Sequence, residues 1–421
     1  MAILKILLIS FEFPSETGFG GIGTYTWYQS RALAKLGHDV HVLAGALEPT
    51  PLRSAEVDGV QVHRFRRQSK LMRAFVAFGD NSLSWTKKRF ENAFSMRYGM
   101  KQLCQRHQFD IIEMPECGAD GAALKHHGTP TVIRLHSPSK LIMPFYGIGK
   151  IDTKLCSAIE NRAIGRATAL SSCSQFLADE TRRKLGIFRP IKVTPNGIDV
   201  ALFDGSDQID IRYKYGLSKN RPIILFAGRL ERRKGIHLCS DICLSILKHT
   251  EVDFLFAGDD TDGLFERELH SKLGSEKMKG AVHHLGKLDM RLLRSCICQC
   301  DVFLLPSLWE NCPYSCLEAM AAGKPIVSSD QGGMRELILD DENGSLATSG
   351  DSVSFASQIR KLLDNDNLRK RLGTAARRTV ETSFNDARIA RLSLDHYHCV
   401  IAGTGYHKDS DTRSGESRDR F

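Results

Sequence analysis

The stretch from Gly228 to Glu336 holds the densest set of residues able to do chemistry. "AGRLERRKG" follows an apolar run directly, so Arg229 and Lys234 fall at the carboxyl end of a predicted strand and flank a short loop that opens the next helix. Two cations in that place suit a diphosphate, Arg through its planar fork and Lys as a point charge. Arg232 and Arg233 between them fit a solvated basic turn. Next, "LLPSLWENCPYSCLEAMAAGKPIV" ends a strand at Pro306, runs a loop from Ser307 to Cys312 and puts Pro313 in a first helical turn. Asn311 is expected to cap that helix, leaving amides around Tyr314 and Ser315 as a second anion-binding end. Glu310 precedes the helix and Glu318 lies on its second turn, in a Glu-x7-Glu spacing. An acid set among amides and cations does not attract phosphate; it accepts hydrogen bonds from the hydroxyls of a ribose or a sugar.

A second candidate lies near the start. "SETGFGGIGTYT" satisfies G-x-G-x-x-G from Gly18 to Gly23, the signature of a dinucleotide-binding turn. Its context fails twice. The first strand ends near Ser10, well before Gly18, and the second, "DVHVLAGA", ends without the acid that would hold a ribose. What remains is a glycine loop around Gly20 and Gly21 opening the helix "GIGTYTWYQSRALAKLG", whose first amides suit an anion. A tight helix–strand packing turn is the alternative. Further on, Glu113 and Glu116 stand at a strand end as acceptor-side contacts, although one of them can instead cap the following helix. His136 closes another apolar run and, taken alone, reads as a satisfied strand-end histidine.

These residues need strands to present them. Apolar runs of four to seven residues alternate with helical-period segments, which predicts parallel α/β architecture. The first series is "KILLIS", "DVHVLAG", "GVQVHRF", "DIIEMP", "TVIRLHS", "TALSSCS" and "IKVTPN"; the second is "RPIILFAGRL", "VDFLFAGDD", "VHHLG", "DVFLLPS", "KPIVSS" and "NGSLA". Two doubly wound sheets in tandem follow, joined through a segment from Ile198 to Asn220 with no strong strand. The expected division is 1–195 for the first domain, 196–383 for the second, a helix over 384–403 returning to the first, and a polar tail over 404–421 that lacks the apolar residues to order itself.

"GRLERRKG", "PSLWENCPYSCLEAMAAGKPIV", "GGMREL" and "NGSLA" resemble the donor half of family 4 retaining glycosyltransferases, and "VTPNGIDVALF" resembles the stretch that opens their second domain. "GGIGTY" is similar to their N-terminal glycine loop, while "DIIEMPECGADG" and "TVIRLHSPS" sit where acceptor-side and catalytic motifs are expected. The resemblance implies the GT-B fold, two Rossmann-like doubly wound α/β domains facing across a cleft. It also implies transfer of a sugar from a nucleotide-sugar donor, with retention of configuration, to a saccharide or lipid-linked acceptor. Arg229 and Lys234 would hold the diphosphate, Glu318 the ribose hydroxyls, Glu310 the donor sugar, Gly21 with Gly20 the diphosphate through backbone, and His136 the transferred sugar. Cofactor and bound metal are both expected to be none, because Arg and Lys supply the charge; a D-x-D pair between apolar strands is missing, with Asp259-Asp260 the nearest approach. The chain departs from the pattern at Asn311 and Cys312, where a glycine and an aromatic are frequent, and at Gly258-Asp259-Asp260. These departures bear on base and sugar selectivity. A sugar-nucleotide epimerase, a non-enzymatic nucleotide-sugar binder and a nicotinamide-dependent oxidoreductase are the competing readings.

Bulk properties narrow the field further. A net charge of +9 over 421 residues is diffuse, and no basic run is interleaved with aromatics as in single-strand binders, so nucleic acid is not an expected partner. None of the twelve cysteines forms C-x-x-C, which points to free thiols in a reducing compartment. "MAILKILLIS" reads as a buried strand, and no run approaches the roughly 20 apolar residues of a membrane span. The expected location is cytoplasmic. From Gln61 to His107, eleven basic residues stand against two acids with Phe65, Phe75, Phe78, Trp85, Phe90 and Phe94 among them, which suggests peripheral docking on anionic lipid or an ordinary solvated helix face.

Overall fold

A computed structural model describes residues 2–18, 20–67, 83–118, 121, 128–205 and 208–403. The tail over 404–421 and, from the basic-aromatic segment, Lys70, Arg73, Phe75 and Phe78 lie outside the described residues. The chain divides into two compact units: Met1–Gly197 joined by the segment from Asp386, and Ile198–Asn385.

The first unit is built on an eight-stranded sheet ordered β3-β4-β2-β1-β5-β6-β7-β8. The strands are β1 Lys5–Ser10, β2 Asp39–Ala44, β3 Thr50–Val57, β4 Val60–Arg66, β5 Ile111–Pro115, β6 Thr131–Leu135, β7 Ala169–Ser172 and β8 Ile191–Val193. All pairs are parallel except β3 with β4. β3, "TPLRSAEV", is a strand the apolar pattern misses, because it is an exposed edge that carries Pro51 and buries almost nothing. The helix Asp386–Ile401 packs on the helix Gly21–Lys35 and adds Ala390, Leu394 and Tyr397 to the core beneath β1 and β2.

The second unit carries β9 Ile223–Ala227, β10 Asp253–Ala257, β11 Val282–Gly286, β12 Val302–Leu305, β13 Ile326–Ser329 and β14 Ser345–Ala347. Their spatial order, β11-β10-β9-β12-β13-β14, is that of a doubly wound nucleotide-binding sheet, and every pair is parallel. β9, β10, β12 and β13 are buried along their whole length, which explains why they read as unbroken apolar runs. Winding reverses between β9 and β12, so the residues just after these two strands flank the crevice where such sheets hold ligands.

The chain leaves β9 and β10 through two glycines in contact. A Cβ on Gly258 (φ +153°) would lie 1.9 Å from the carbonyl oxygen of Gly228. Gly258→Ala is therefore expected to destabilise the protein by about 3 kcal/mol or more in chemical denaturation, since both the backbone angle and the neighbouring backbone reject a side chain.

Candidate active site

In the second unit, Gly228 and Arg229 follow β9, a tight turn runs from Arg232 to Lys234, and Gly235 in a left-handed conformation opens the helix Ile236–Leu247. Pro306 to Cys312 follow β12. The two loops are tied together: Leu308 N–H donates to Arg233 O over 2.8 Å, and Arg233 Nη1 donates to Trp309 O over 3.0 Å. Charges alternate through the cluster. Arg229 Nη1 lies 3.4 Å from Glu231 Oε2, Arg233 Nη2 donates to Glu231 Oε1 over 2.6 Å, and Arg233 Nη1 lies 3.5 Å from Glu310 Oε1. Lys234 Nζ donates to the same Glu310 oxygen over 2.5 Å.

Burial is the largest influence on both Lys234 and Glu310. For Glu310 the Lys234 and Arg233 cations outweigh it and hold the carboxyl below its usual range; for Lys234 burial prevails over the pull of Glu310, and the ammonium is held below its own. Arg229 is different. Its side chain is 59% exposed against 15% for Lys234, so it reaches outward from the strand end.

Two expectations change here. Arg232 is on the surface and pairs with Glu268, but Arg233 is buried and is the hub of the cluster rather than part of a solvated turn. Sequence shows its type and not its partners. Asn311 does not cap the following helix. The N-cap of Tyr314–Ala321 is Pro313, which makes no side-chain cap bond, and the first helical bond runs from Cys316 N–H to Pro313 O. The Tyr314 and Ser315 amides precede that bond. Asn311 is instead pinned from the backbone side, where a Cβ on Gly333 would lie 1.6 Å from Asn311 O, and Gly333 N–H donates to Glu310 O. Only glycine lets the "GGM" turn pass beneath the Glu310 loop. Cys312 and Glu318 are both buried, and burial lifts the Glu318 carboxyl to about 7, with Arg294 opposing.

In the first unit, Gly20 is the N-cap of Gly21–Lys35, and the first helical bond is made by Thr24 N–H to Gly20 O. A Cβ on Gly20 would meet the Glu12 carboxylate, with Oε2 at 2.1 Å, and would push that side chain aside; Gly21 faces open space. His136 follows β6, and burial, then Arg134, hold its imidazole well below the usual range, hence neutral at pH 7. Tyr25 packs edge-on against it at 5.1 Å between ring centroids, with Arg134 4.0 Å over the Tyr25 ring. A small cavity beside His136 is lined by residues that include Ile22, Tyr25, Glu113 and Arg134.

Both candidate acceptor acids are buried with their oxygens engaged internally. Glu113 accepts from Tyr25 Oη at 2.6 Å and Tyr397 Oη at 2.8 Å. Glu116 accepts the backbone amides of His136 and Ser137 over 2.6–3.0 Å, so it positions the His136 loop instead of capping a helix; burial and then Glu160 raise its carboxyl to about 7. Sequence also missed Glu160 and Arg89. Glu160 accepts both the amide and hydroxyl of Ser139, and Arg89 lies 3.1 Å from it. Within the basic segment, read either as a docking face or as an ordinary helix face, Lys87 and Arg89 are buried, and Arg64 donates to the carbonyls of Phe13, Pro14 and Gly45. Among the described residues no helix is long and apolar enough to cross a membrane.

With this geometry in hand, the family models agree. One described as "Glycosyltransferase Family 4" matches residues 19–202, and one described as "Glycosyl transferases group 1" matches residues 207–379. The chain belongs to the family 4 glycosyltransferases. This glycosyltransferase is 25% identical over 415 residues to glycogen synthase of Mycobacterium tuberculosis, covering 95% of this chain and 96% of that one. Its fold is that of sucrose-phosphate synthase from Thermosynechococcus elongatus (TM-score 0.76, 19% identity, 95% and 100% of the chains) and of Anabaena HepE in complex with UDP-glucose (0.69, 20%, 94% and 99%). These are GT-B enzymes, and the two Rossmann-like domains of that class are the two units described above. Relatives place glycosyl transfer in glycan biosynthesis.

Two outcomes are expected. Arg89→Met strips the buried Glu160 of its cation and should lower stability by about 3–5 kcal/mol, whereas Lys88→Met on the exposed side stays within about 0.5 kcal/mol, both by urea unfolding. Glu318 binds its proton more tightly folded than unfolded, so its burial lowers stability progressively as pH rises from 4.5 towards 7. The gain in stability of Glu318→Gln over wild type should therefore grow across that window in melts recorded at each pH; a pH-independent difference removes the assignment.

Proposed function

We propose that this glycosyltransferase moves a sugar from a nucleotide-diphosphate donor to a saccharide or lipid-linked glycan acceptor, retaining the anomeric configuration and using protein cations in place of a bound metal. The observation that carries the reading is the gathering of Arg229, Arg233 and Lys234 with Glu231 and Glu310 beside the point where the second sheet reverses its winding, just ahead of the helix Tyr314–Ala321 that bears Glu318. The donor in the HepE complex is of the same chemical class.

Each group has a task. Arg229 and Lys234 neutralise the departing diphosphate, with the Tyr314 and Ser315 amides and the dipole of their helix adding to the field. Glu318 engages the ribose hydroxyls, Glu310 a hydroxyl of the donor sugar, and His136, uncharged, the transferred sugar. As the bond from the anomeric carbon to the phosphate oxygen breaks, its electron pair leaves with the diphosphate. The acceptor hydroxyl oxygen bonds to the same carbon, and its proton passes to the leaving phosphate. Preorganised charge and positioning supply the rate.

Purified protein is to be incubated with UDP-, ADP- and GDP-sugars while free nucleotide and sugar isomers are followed. Slow nucleotide release, accelerated by saccharide or lipid-linked acceptors, is the expected result; isomerisation without release identifies an epimerase and overturns transfer. Lys234→Ala should weaken donor binding by about tenfold or more, the loss of one charge-assisted bond to phosphate. Unchanged donor affinity by calorimetry refutes the role given to Lys234.

A further inference from the structure

The donor-binding lysine is already occupied. Lys234 Nζ sits 2.5 Å from Glu310 Oε1, with the Glu310 side chain buried and that of Lys234 15% exposed. The same ammonium cannot hold a diphosphate and keep this bond at full strength, because Lys offers one compact charge. If Lys234 simply left, Glu310 would be a buried carboxylate without its nearest cation, a state that costs several kcal/mol. A second cation stands ready. Arg233 Nη1 lies 3.5 Å from the same oxygen, and Arg233 is fixed there by Glu231 Oε1 at 2.6 Å and Trp309 O at 3.0 Å.

We propose that Arg233 is a positioning residue that keeps Glu310 ionised while Lys234 moves from Glu310 to the donor diphosphate. This rests on the donor-binding role proposed above. In the free enzyme the carboxylate masks Lys234, so the site is not left with an uncompensated buried ammonium. On donor binding the phosphate takes Lys234, and Glu310, still neutralised by Arg233, is released to accept a sugar hydroxyl. Diphosphate and sugar recognition are thereby coupled through one exchange of ion partners. The other groups facing Glu310 cannot substitute: the Ser307 hydroxyl is uncharged, and the buried Cys316 thiol is held far above its usual range and stays protonated.

The test is proton linkage, which a merely structural role does not move. Titrate wild type, Arg233→Gln and Arg233→Lys with UDP-, ADP- and GDP-glucose from pH 6 to 9 by calorimetry in buffers of different ionisation enthalpy. In Arg233→Gln, Glu310 has no cation once Lys234 departs, so donor binding should take up close to one additional proton, and donor affinity should fall up to tenfold per pH unit relative to wild type. Arg233→Lys should restore the wild-type proton count. Uniformly weaker binding with an unchanged proton count reduces Arg233 to packing and overturns the proposal. Glu310→Gln supplies a second test should Arg233→Gln fail to fold. Freed of its competitor, Lys234 should bind UDP, ADP or GDP severalfold tighter; equal or weaker binding rejects the exchange. Absence of binding by wild type to any of the nucleotides refutes the donor reading itself, and is thus distinguishable from failure of the exchange.

Discussion

A carboxylate removed from water has to be met by positive charge, and Glu310 is met by two cations. The order of the second sheet brings this about. Arg233 and Lys234 follow β9, and Glu310 follows β12, and the two strands are adjacent because the winding reverses between them. Pairing across 76 residues of chain then closes the two loops on each other, helped by backbone bonds from Leu308 to Arg233 and from Gly333 to Glu310. If the acid were removed, the two cations would repel; if both cations were removed, the buried acid would be stranded. The two loops are therefore held together by the charges they carry.

The first unit solves a similar problem by other means. Glu116, at the end of β5, is bound by the amides of His136 and Ser137 after β6, and Glu160 secures Ser139 with Arg89 as its cation. Backbone amides give less neutralisation than Lys or Arg, so Glu116 is left with a raised proton affinity where Glu310 has a lowered one. Tyr25 and Tyr397 bracket Glu113 and link the strand, the glycine-started helix and the returning C-terminal helix around the ring that flanks His136.

The legible parts of this structure are those with a local signature. Among the described residues every strand but β3 falls on one of the runs quoted above, most of them buried and apolar, and the cations, the Glu-x7-Glu spacing and the glycine loop are local patterns too. What stayed hidden is long-range or polar. β3 has no apolar face to reveal it. Arg233 looks like any residue of a basic turn until the loop 76 residues away folds over it, and Lys87 and Arg89 look like surface charge until Glu160 and the rest of the first unit cover them. Asn311 is a good capping residue in a sequence, yet the backbone at Pro313 starts the helix first. Residue type predicts what a side chain can do; the partner that decides what it does is a property of topology.

The same distinction separates the two acids that share one motif. Glu310 and Glu318 are identical in type and both buried, and spacing alone gives no reason to treat them differently. Two cations hold Glu310 below the usual carboxyl range, whereas Glu318, opposed only by Arg294, rises to about 7. Near neutral pH Glu310 is an acceptor and nothing else, while Glu318 exists as a mixture of carboxylate and acid, able to accept and to donate. The vicinal diol of the ribose proposed to bind there offers both donors and lone pairs, and such a carboxyl would answer both. A hydroxyl of the donor sugar, whose ring takes on positive charge in the proposed transfer, would be met at Glu310 by a fixed negative acceptor. Environment, set by which strand ends the sheet brings together, turns one repeated residue into two different instruments.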